Sequence, residues 1–184
     1  MREFFKKVFS TGNFGAILGG LILLASLVGI AQDWSKPAPI ILQGTQLTLS
    51  ETVDSEHYTA DTCIVCCIDD RFTHILNHFA KNSGYSKVDW IKVAGGAKDF
   101  EFDSEPHAYL RKQIVKSLEL HHTKRVDIVV HMDCGAYGAD KTSGFYIAEL
   151  KKIKPEIELT LSENGYHVPV TAYFAKFDGL YEVK

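Results

Sequence analysis

The chain has 184 residues, 46% of them hydrophobic and 23% charged, with a formal net charge of −3, which suffices for one domain with a core plus a short appendage. Acids and bases are interspersed along it, with no long basic run and no aromatic-basic interleaving, so nothing supports a nucleic-acid partner. Repeats and low-complexity tracts are absent as well.

In chain order, the first segment differs from the rest. No charge occurs from Val8 to Gln32, and Phe14–Ala31 is almost wholly apolar. At about 1.5 Å per helical residue that stretch spans roughly 27 Å, close to the hydrocarbon thickness. Arg2, Lys6 and Lys7 precede it and Asp33 follows, so the positive-inside bias predicts a cytoplasmic N-terminus and an exported remainder. A cleavable signal peptide, with Gly29-Ile30-Ala31 as a small-x-small site, competes with an uncleaved transmembrane anchor; the length of the stretch favours the anchor. A buried core helix is the third reading and would need burial on every side. The first two both predict a domain in the periplasm or at the cell surface, secreted if the segment is cut. Residues 1–33 thus read as anchor or signal, 34–60 as a linker and lead-in stiffened by Pro37 and Pro39, and 61–184 as the domain.

Within the domain, Thr62–Ile68 is a short apolar run that predicts a buried strand. Phe72–Asn82 has helical spacing in Phe72, Ile75, Leu76 and Phe79, with Gly84 placed to close it. Val88–Val93 reads as a second strand, broken by Gly95-Gly96. Ser104 is a predicted cap for a helix whose inner face is Leu110, Ile114, Val115 and Leu118, and His121-His122 end it, where cationic side chains suit the dipole. Val126–Val130 is a third buried strand ending at His131. A helix over Phe145–Ser162, kinked or split by Pro155, leads to a fourth strand, Val168–Phe174. After Asp178-Gly179, Tyr181–Val183 predicts a short edge strand. Strands separated by helices imply an α/β fold: a mostly parallel central sheet of four to five strands flanked by helices. Ligands in such sheets sit beyond the strand carboxyl ends, where Cys67, Gly95 and His131 all fall.

One strand end offers Cys67-Ile68-Asp69-Asp70-Arg71 and another His131-Met132-Asp133-Cys134-Gly135. Two thiolates and one imidazole suit zinc, and three protein ligands leave a fourth position for water or a carboxylate, as in a catalytic site. Asp69 and Arg71 lie two apart on a segment read as extended, so their side chains point the same way. Paired, the arginine holds the carboxylate off the metal and the aspartate accepts a hydrogen bond from the water. Unpaired, Asp69 is free to bind zinc itself and close the site.

The order C-x-D-x-R then H-x-x-C, with His131-x-Asp133-Cys134-Gly135-Ala136, resembles the β-class carbonic anhydrases. Lys92-Val93-Ala94-Gly95 stands where that family has an Arg-Asn-Ala-Gly-like segment, and Gly179-Leu180-Tyr181-Glu182-Val183 looks like its last strand. The resemblance covers roughly residues 61–184. It implies Cys67, His131 and Cys134 as zinc ligands, Asp69 and Arg71 as the catalytic pair, reversible hydration of CO2 to bicarbonate, and a homodimer or multiple of dimers with the site near the interface. Gly95, Gly96 and Gly135 are candidate backbone elements of the substrate pocket. Departures from the family are Asp70 in place of serine, Lys92 and Val93 in place of arginine and asparagine, the absence of an assignable bicarbonate-positioning glutamine, and N-terminal helices reduced to the stretch 40–60.

Blander readings stand beside these. Four cysteines in an exported domain are enough for two disulfides, but Cys63, Cys66 and Cys67 crowd one strand whose adjacent residues face opposite sides. Cys63 and Cys66 therefore read as core. His74 and His78 are i, i+4 on a helix with no third ligand and read as surface or core histidines. Tyr137 and Phe100 read equally as cleft lining or packing. Two other functions share the metal site: a related hydrolase acting on COS or CS2, and a non-catalytic zinc domain serving as a binding or assembly module.

Overall fold

Residue-by-residue alternation in the strands decides how the layers form. The computed structural model describes residues 48–98, 100 and 105–184, with Glu105–His107 by backbone only. The apolar N-terminal stretch and the anchor expected there lie outside the described residues, as does the Ser104 cap. Among the described residues no helix is long and apolar enough to cross a membrane. Residues 48–53 are exposed and without regular structure.

The elements of residues 54–184 follow one another as β1 (Thr62–Cys66), α1 (Thr73–Asn82), β2 (Val88–Lys92), α2 (Glu105–His121), β3 (Val126–His131), α3 (Ser143–Glu163), β4 (Val170–Lys176) and β5 (Gly179–Val183), with short 3-10 turns at Asp70–Phe72 and Gly135–Tyr137. The sheet order is β2-β1-β3-β4-β5. The first four strands are mutually parallel and β5 is antiparallel to β4. An α/β fold with a mostly parallel five-stranded sheet is therefore what the strand-helix alternation produced.

The chain steps from β1 outward to β2, then back across β1 to β3 and on to β4. Parallel crossovers are right-handed, so the reversal of direction puts α1 on one face and α2 and α3 on the other. Packing follows suit. Cys63 and Val65 of β1 and Val126, Ile128 and Val130 of β3 pack with Leu110, Ile114 and Leu118 of α2 and Leu150, Ile153 and Ile157 of α3. Ile64 and Cys66 turn the other way, with Val129, onto Phe72, Leu76 and Ala80. Each such fully buried aliphatic side chain contributes roughly 1.5–3 kcal/mol.

Three expectations need correction. The β1 run stops at Cys66, so Cys67 and Ile68 lie beyond the strand. Asp69–Arg71 is not extended: Asp69 is extended but caps the 3-10 turn that begins at Asp70. Of the kink or split expected at Pro155, the split does not occur; α3 runs from Ser143 to Glu163 with the proline inside it. Buried Ile153, Ile157, Thr160 and Leu161 on both sides of Pro155 hold the helix together where one backbone hydrogen bond is missing.

Polar groups are gathered at the amino end of the sheet. Asp89 accepts hydrogen bonds from Tyr58 Oη (2.7 Å) and Ser117 Oγ (2.6 Å) and pairs with His121 Nδ1 at 2.8 Å. His121 thus ends α2 against a carboxylate as well as the helix dipole. Burial raises the Asp89 pKa, but the bonds from Ser117, Tyr58 and His121 outweigh it and hold the carboxyl below its ordinary value. A depressed folded-state pKa stabilises the fold above the unfolded value of about 3.9, and the contribution is lost as pH falls through the lower folded value. The melting-temperature gap between the parent and Asp89→Asn is accordingly expected to be full at pH 7 and to narrow below about pH 4.

Candidate metal centre

The order of strands creates the site. β1 connects onward to one side and β3 to the other, so the loops after these two neighbours diverge and leave a crevice at their carboxyl ends. Cys67 stands one residue beyond β1, His131 is the last residue of β3, and Cys134 follows three residues later. The structure brings these three together: one ligand atom of each lies within 4.8 Å of the others.

The two sulfurs are 3.9 Å apart. A disulfide needs about 2.05 Å, and all four cysteines are free. Two metal–sulfur bonds of about 2.3 Å at a tetrahedral angle separate the sulfurs by about 3.8 Å, so the spacing fits a shared zinc. His131 supplies the third direction. Its Nδ1 lies 2.8 Å from the Met132 carbonyl, which can only accept, so Nδ1 carries the proton and Nε2 presents a lone pair. Nε2 is buried and has no hydrogen-bond partner among the described residues. A buried nitrogen lone pair facing two thiols suits a metal ligand, because a buried polar atom otherwise finds a hydrogen-bond partner. The residues present fit zinc.

Supporting groups orient the three side chains. The Gly95 N–H donates to Cys67 Sγ at 3.4 Å. Burial raises the Cys134 thiol pKa, as does the neighbouring Cys67, while the backbone N–H groups of Ala136 and Tyr137 favour the thiolate. The Cys134 N–H in turn donates to the hydroxyl of fully buried Tyr146 at 3.2 Å. Phe72 packs its ring 4.5 Å from the His131 ring. Burial pushes Cys63 up to about 12 and Cys66 up to about 11, which suits inert core thiols.

Gly95 and Gly96 are buried in the turn after β2, and both have positive φ (80° and 62°). A Cβ on Gly96 would meet the Val129 carbonyl oxygen at 2.7 Å. Gly96→Ala is therefore expected to destabilise the fold by about 2–4 kcal/mol, read as a lower urea midpoint with an unchanged slope. Gly135 is exposed, opens the second 3-10 turn, and would meet nothing within 4 Å with an added Cβ. Phe100 and Tyr137 are both buried in the core and pack there.

Asp69 lies beside the cluster, its Oδ2 3.8 Å from His131 Nε2. Arg71 grips it: Nε donates to Oδ1 at 3.0 Å, Nη2 donates to Oδ2 at 2.7 Å, and the Arg71 backbone N–H donates to Oδ1 at 3.1 Å. The capping geometry of the 3-10 turn, rather than an extended strand, thus points the two side chains at each other. The guanidinium holds the Asp69 carboxyl below its usual pKa. Sequence reasoning missed Phe72, Asp133 and Tyr146. Only Asp133 carried a signal, its place between His131 and Cys134 of the second motif.

A protein family described as "Putative carbonic anhydrase" matches residues 57–183. No curated protein matches the chain significantly. Among solved structures, a carbonic anhydrase from Streptococcus mutans is similar at 14% identity and a TM-score of 0.43, covering 95% of this chain and 99% of that one. Two tetrameric β-carbonic anhydrases from Sordaria macrospora are represented at 15% identity and a TM-score of 0.44, covering 68% and 81%. An apo carbon disulfide hydrolase is similar at 13% identity and a TM-score of 0.38, covering 69% and 81%.

Proposed function

Because the chain belongs to this carbonic anhydrase family over residues 57–183 and carries the β-class motifs at two strand ends, we propose that it catalyses the reversible hydration of CO2 to bicarbonate with zinc held by Cys67, His131 and Cys134. The observation that carries the reading is the buried, unpartnered Nε2 of His131 facing two thiols 3.9 Å apart, beside a carboxylate gripped by an arginine.

When bound, zinc supplies a water acidified to a pKa near 7, available as a nucleophile at neutral pH. The protein's part is positional. Asp69, kept ionised by Arg71, is an acceptor only, so it orients the O–H of an attacking water and leaves that oxygen's lone pair for the carbon. Arg71 holds Asp69 aside from the three ligands. The pair is partly exposed, so the proton released on hydration passes outward to solvent water and buffer.

Arg71→Ala is expected to keep one zinc per chain and lose roughly 10²-fold in kcat/KM, the scale of a misplaced proton-handling group. Metal analysis alongside CO2-hydration kinetics checks it. In this reading the enzyme works as a homodimer, tethered by its N-terminal apolar segment with the domain outside the cytoplasm. The support for tether and location is the charge pattern around residues 8–32.

Stopped-flow CO2 hydration by the full chain, at two pH values and with zinc quantified, tests the reading; COS and CS2 are run in parallel. Hydration that scales with zinc content supports it. One zinc per chain with no hydration at either pH would overturn it, in favour of the hydrolase if COS or CS2 is consumed and of a non-catalytic zinc domain if neither is.

A further inference from the structure

The Asp69–Arg71 pair is local, two residues apart on one turn, so by itself it is free to swing as a unit. Its tie to the rest of the site is Asp133. Arg71 Nη1 donates to Asp133 Oδ2 at 3.0 Å and Nη2 donates to the Asp133 carbonyl at 3.2 Å. The guanidinium is thus held on both edges: Nε and Nη2 on Asp69, Nη1 and Nη2 on Asp133. Its faces are flanked as well, with Cζ 5.9 Å from the Phe72 ring centre and 5.6 Å from that of Phe177.

Asp133 occupies an unusual backbone position. Its φ is 57°, in the left-handed region that few residues other than glycine adopt and that aspartate tolerates. This conformation accompanies the presentation of both its carbonyl and its carboxylate to Arg71. Asp133 also sits between His131 and Cys134, so it joins the segment carrying two ligands to the turn carrying the pair.

We propose that Asp133 is a positioning residue: by anchoring the outer edge of Arg71 it keeps the Asp69 carboxylate out of the shell formed by Cys67, His131 and Cys134, and so sets the fraction of molecules whose fourth ligand position accepts a small molecule. The inference rests on the zinc reading above. Asp69 Oδ2 is only 3.8 Å from His131 Nε2, so a small release of Arg71 is enough to let the carboxylate compete. Both Arg71 and Asp133 are about half exposed or more, where an ion pair adds little to stability. The effect of losing it therefore falls on placement and not on the fold.

The test uses the full chain loaded with Co2+ in place of zinc and titrated with azide, followed by visible absorption. In the parent, azide is expected to shift the cobalt bands. Asp133→Ala should retain one cobalt per chain and a cooperative fold, melting a few degrees lower because alanine tolerates φ 57° less well than aspartate, yet bind azide about tenfold more weakly, because apparent affinity falls with the competent fraction. Asp133→Asn, whose amide oxygen still accepts from Arg71, should stay near the parent. The double variant Asp133→Ala/Asp69→Asn should regain the azide response, since the competing carboxylate is gone. An Asp133→Ala protein that binds azide like the parent overturns the proposal. So does a double variant as weak as the single one, which would make the role merely structural. A parent that holds no cobalt, or whose bands ignore azide, sinks the metal-site reading itself and this inference with it.

Discussion

Cys134→Ser is expected to fold normally and to lose its zinc on dialysis, with CO2 hydration falling to background. Sulfur is the issue, since a serine hydroxyl stays protonated where a thiol ionises on the metal. Cys134 is 2% exposed, so no solvent oxygen readily takes the vacated position. Groups outside the ligand shell are already worth roughly 10–100-fold in metal affinity, and a first ligand is expected to exceed that. Cys66→Ala is the control. Its side chain packs on the opposite face with Phe72 and Leu76, so that variant should cost stability and leave one zinc per chain. Metal analysis of both variants after dialysis, with circular dichroism for the fold, reads the contrast.

The second large effect lies at the amino end of β3, the strand that finishes at His131. Asp127 is fully buried near the start of β3. It accepts from Thr62 Oγ1 at 2.8 Å and from Arg125 Nη2 at 2.7 Å, and the same Arg125 nitrogen also reaches Thr171 Oγ1 at 2.8 Å. These bonds tie β1, β3 and β4 together at their amino ends. Asp127→Ala leaves the Arg125 guanidinium with Thr171 Oγ1 but no counter-charge in this pair, and the Thr62 hydroxyl with only a long 3.5 Å contact to the Arg125 carbonyl, and is expected to destabilise the fold by about 2–4 kcal/mol. Replacing both partners, as in Asp127→Val/Arg125→Met, should recover much of that loss. Chemical denaturation measures both. The candidate metal site stands at the carboxyl ends, so zinc stoichiometry in the folded fraction should be unchanged; a parallel loss of zinc would contradict this division of labour.

How much of this was legible in the sequence follows from the physics of each signal. Buried parallel strands announce themselves as largely apolar runs, so strands at Thr62–Ile68 and, despite Asp127, at Val126–Val130 were visible, and the helices between them set the sheet type. The Cys67–His131–Cys134 cluster was visible because thiol and imidazole at matched spacing beyond two strand ends have few other uses, and the fold brings the three together. Boundaries were harder. Cys67 and Ile68 continue the apolar run chemically but not as strand, because Asp69 caps a 3-10 turn, which periodicity does not report. Pro155 read as a break, yet burial around Ile153 and Ile157 overrides a single missing hydrogen bond. Tyr146 and Phe72 looked like ordinary core residues, since nothing local says that one meets the Cys134 amide and the other the His131 ring. Such contacts are set by tertiary packing alone. Asp133 was seen as a motif letter, and only coordinates show its carboxylate on Arg71.

The central claim is that two sulfurs and one imidazole nitrogen of this chain share a zinc ion. X-ray absorption at the zinc edge on the full-length protein tests it directly. One zinc per chain is expected, with two sulfur neighbours at about 2.3 Å, one histidine nitrogen at about 2.0 Å and one further light atom. A shell of four sulfurs, a shell with none, or a protein that takes up no zinc would contradict it.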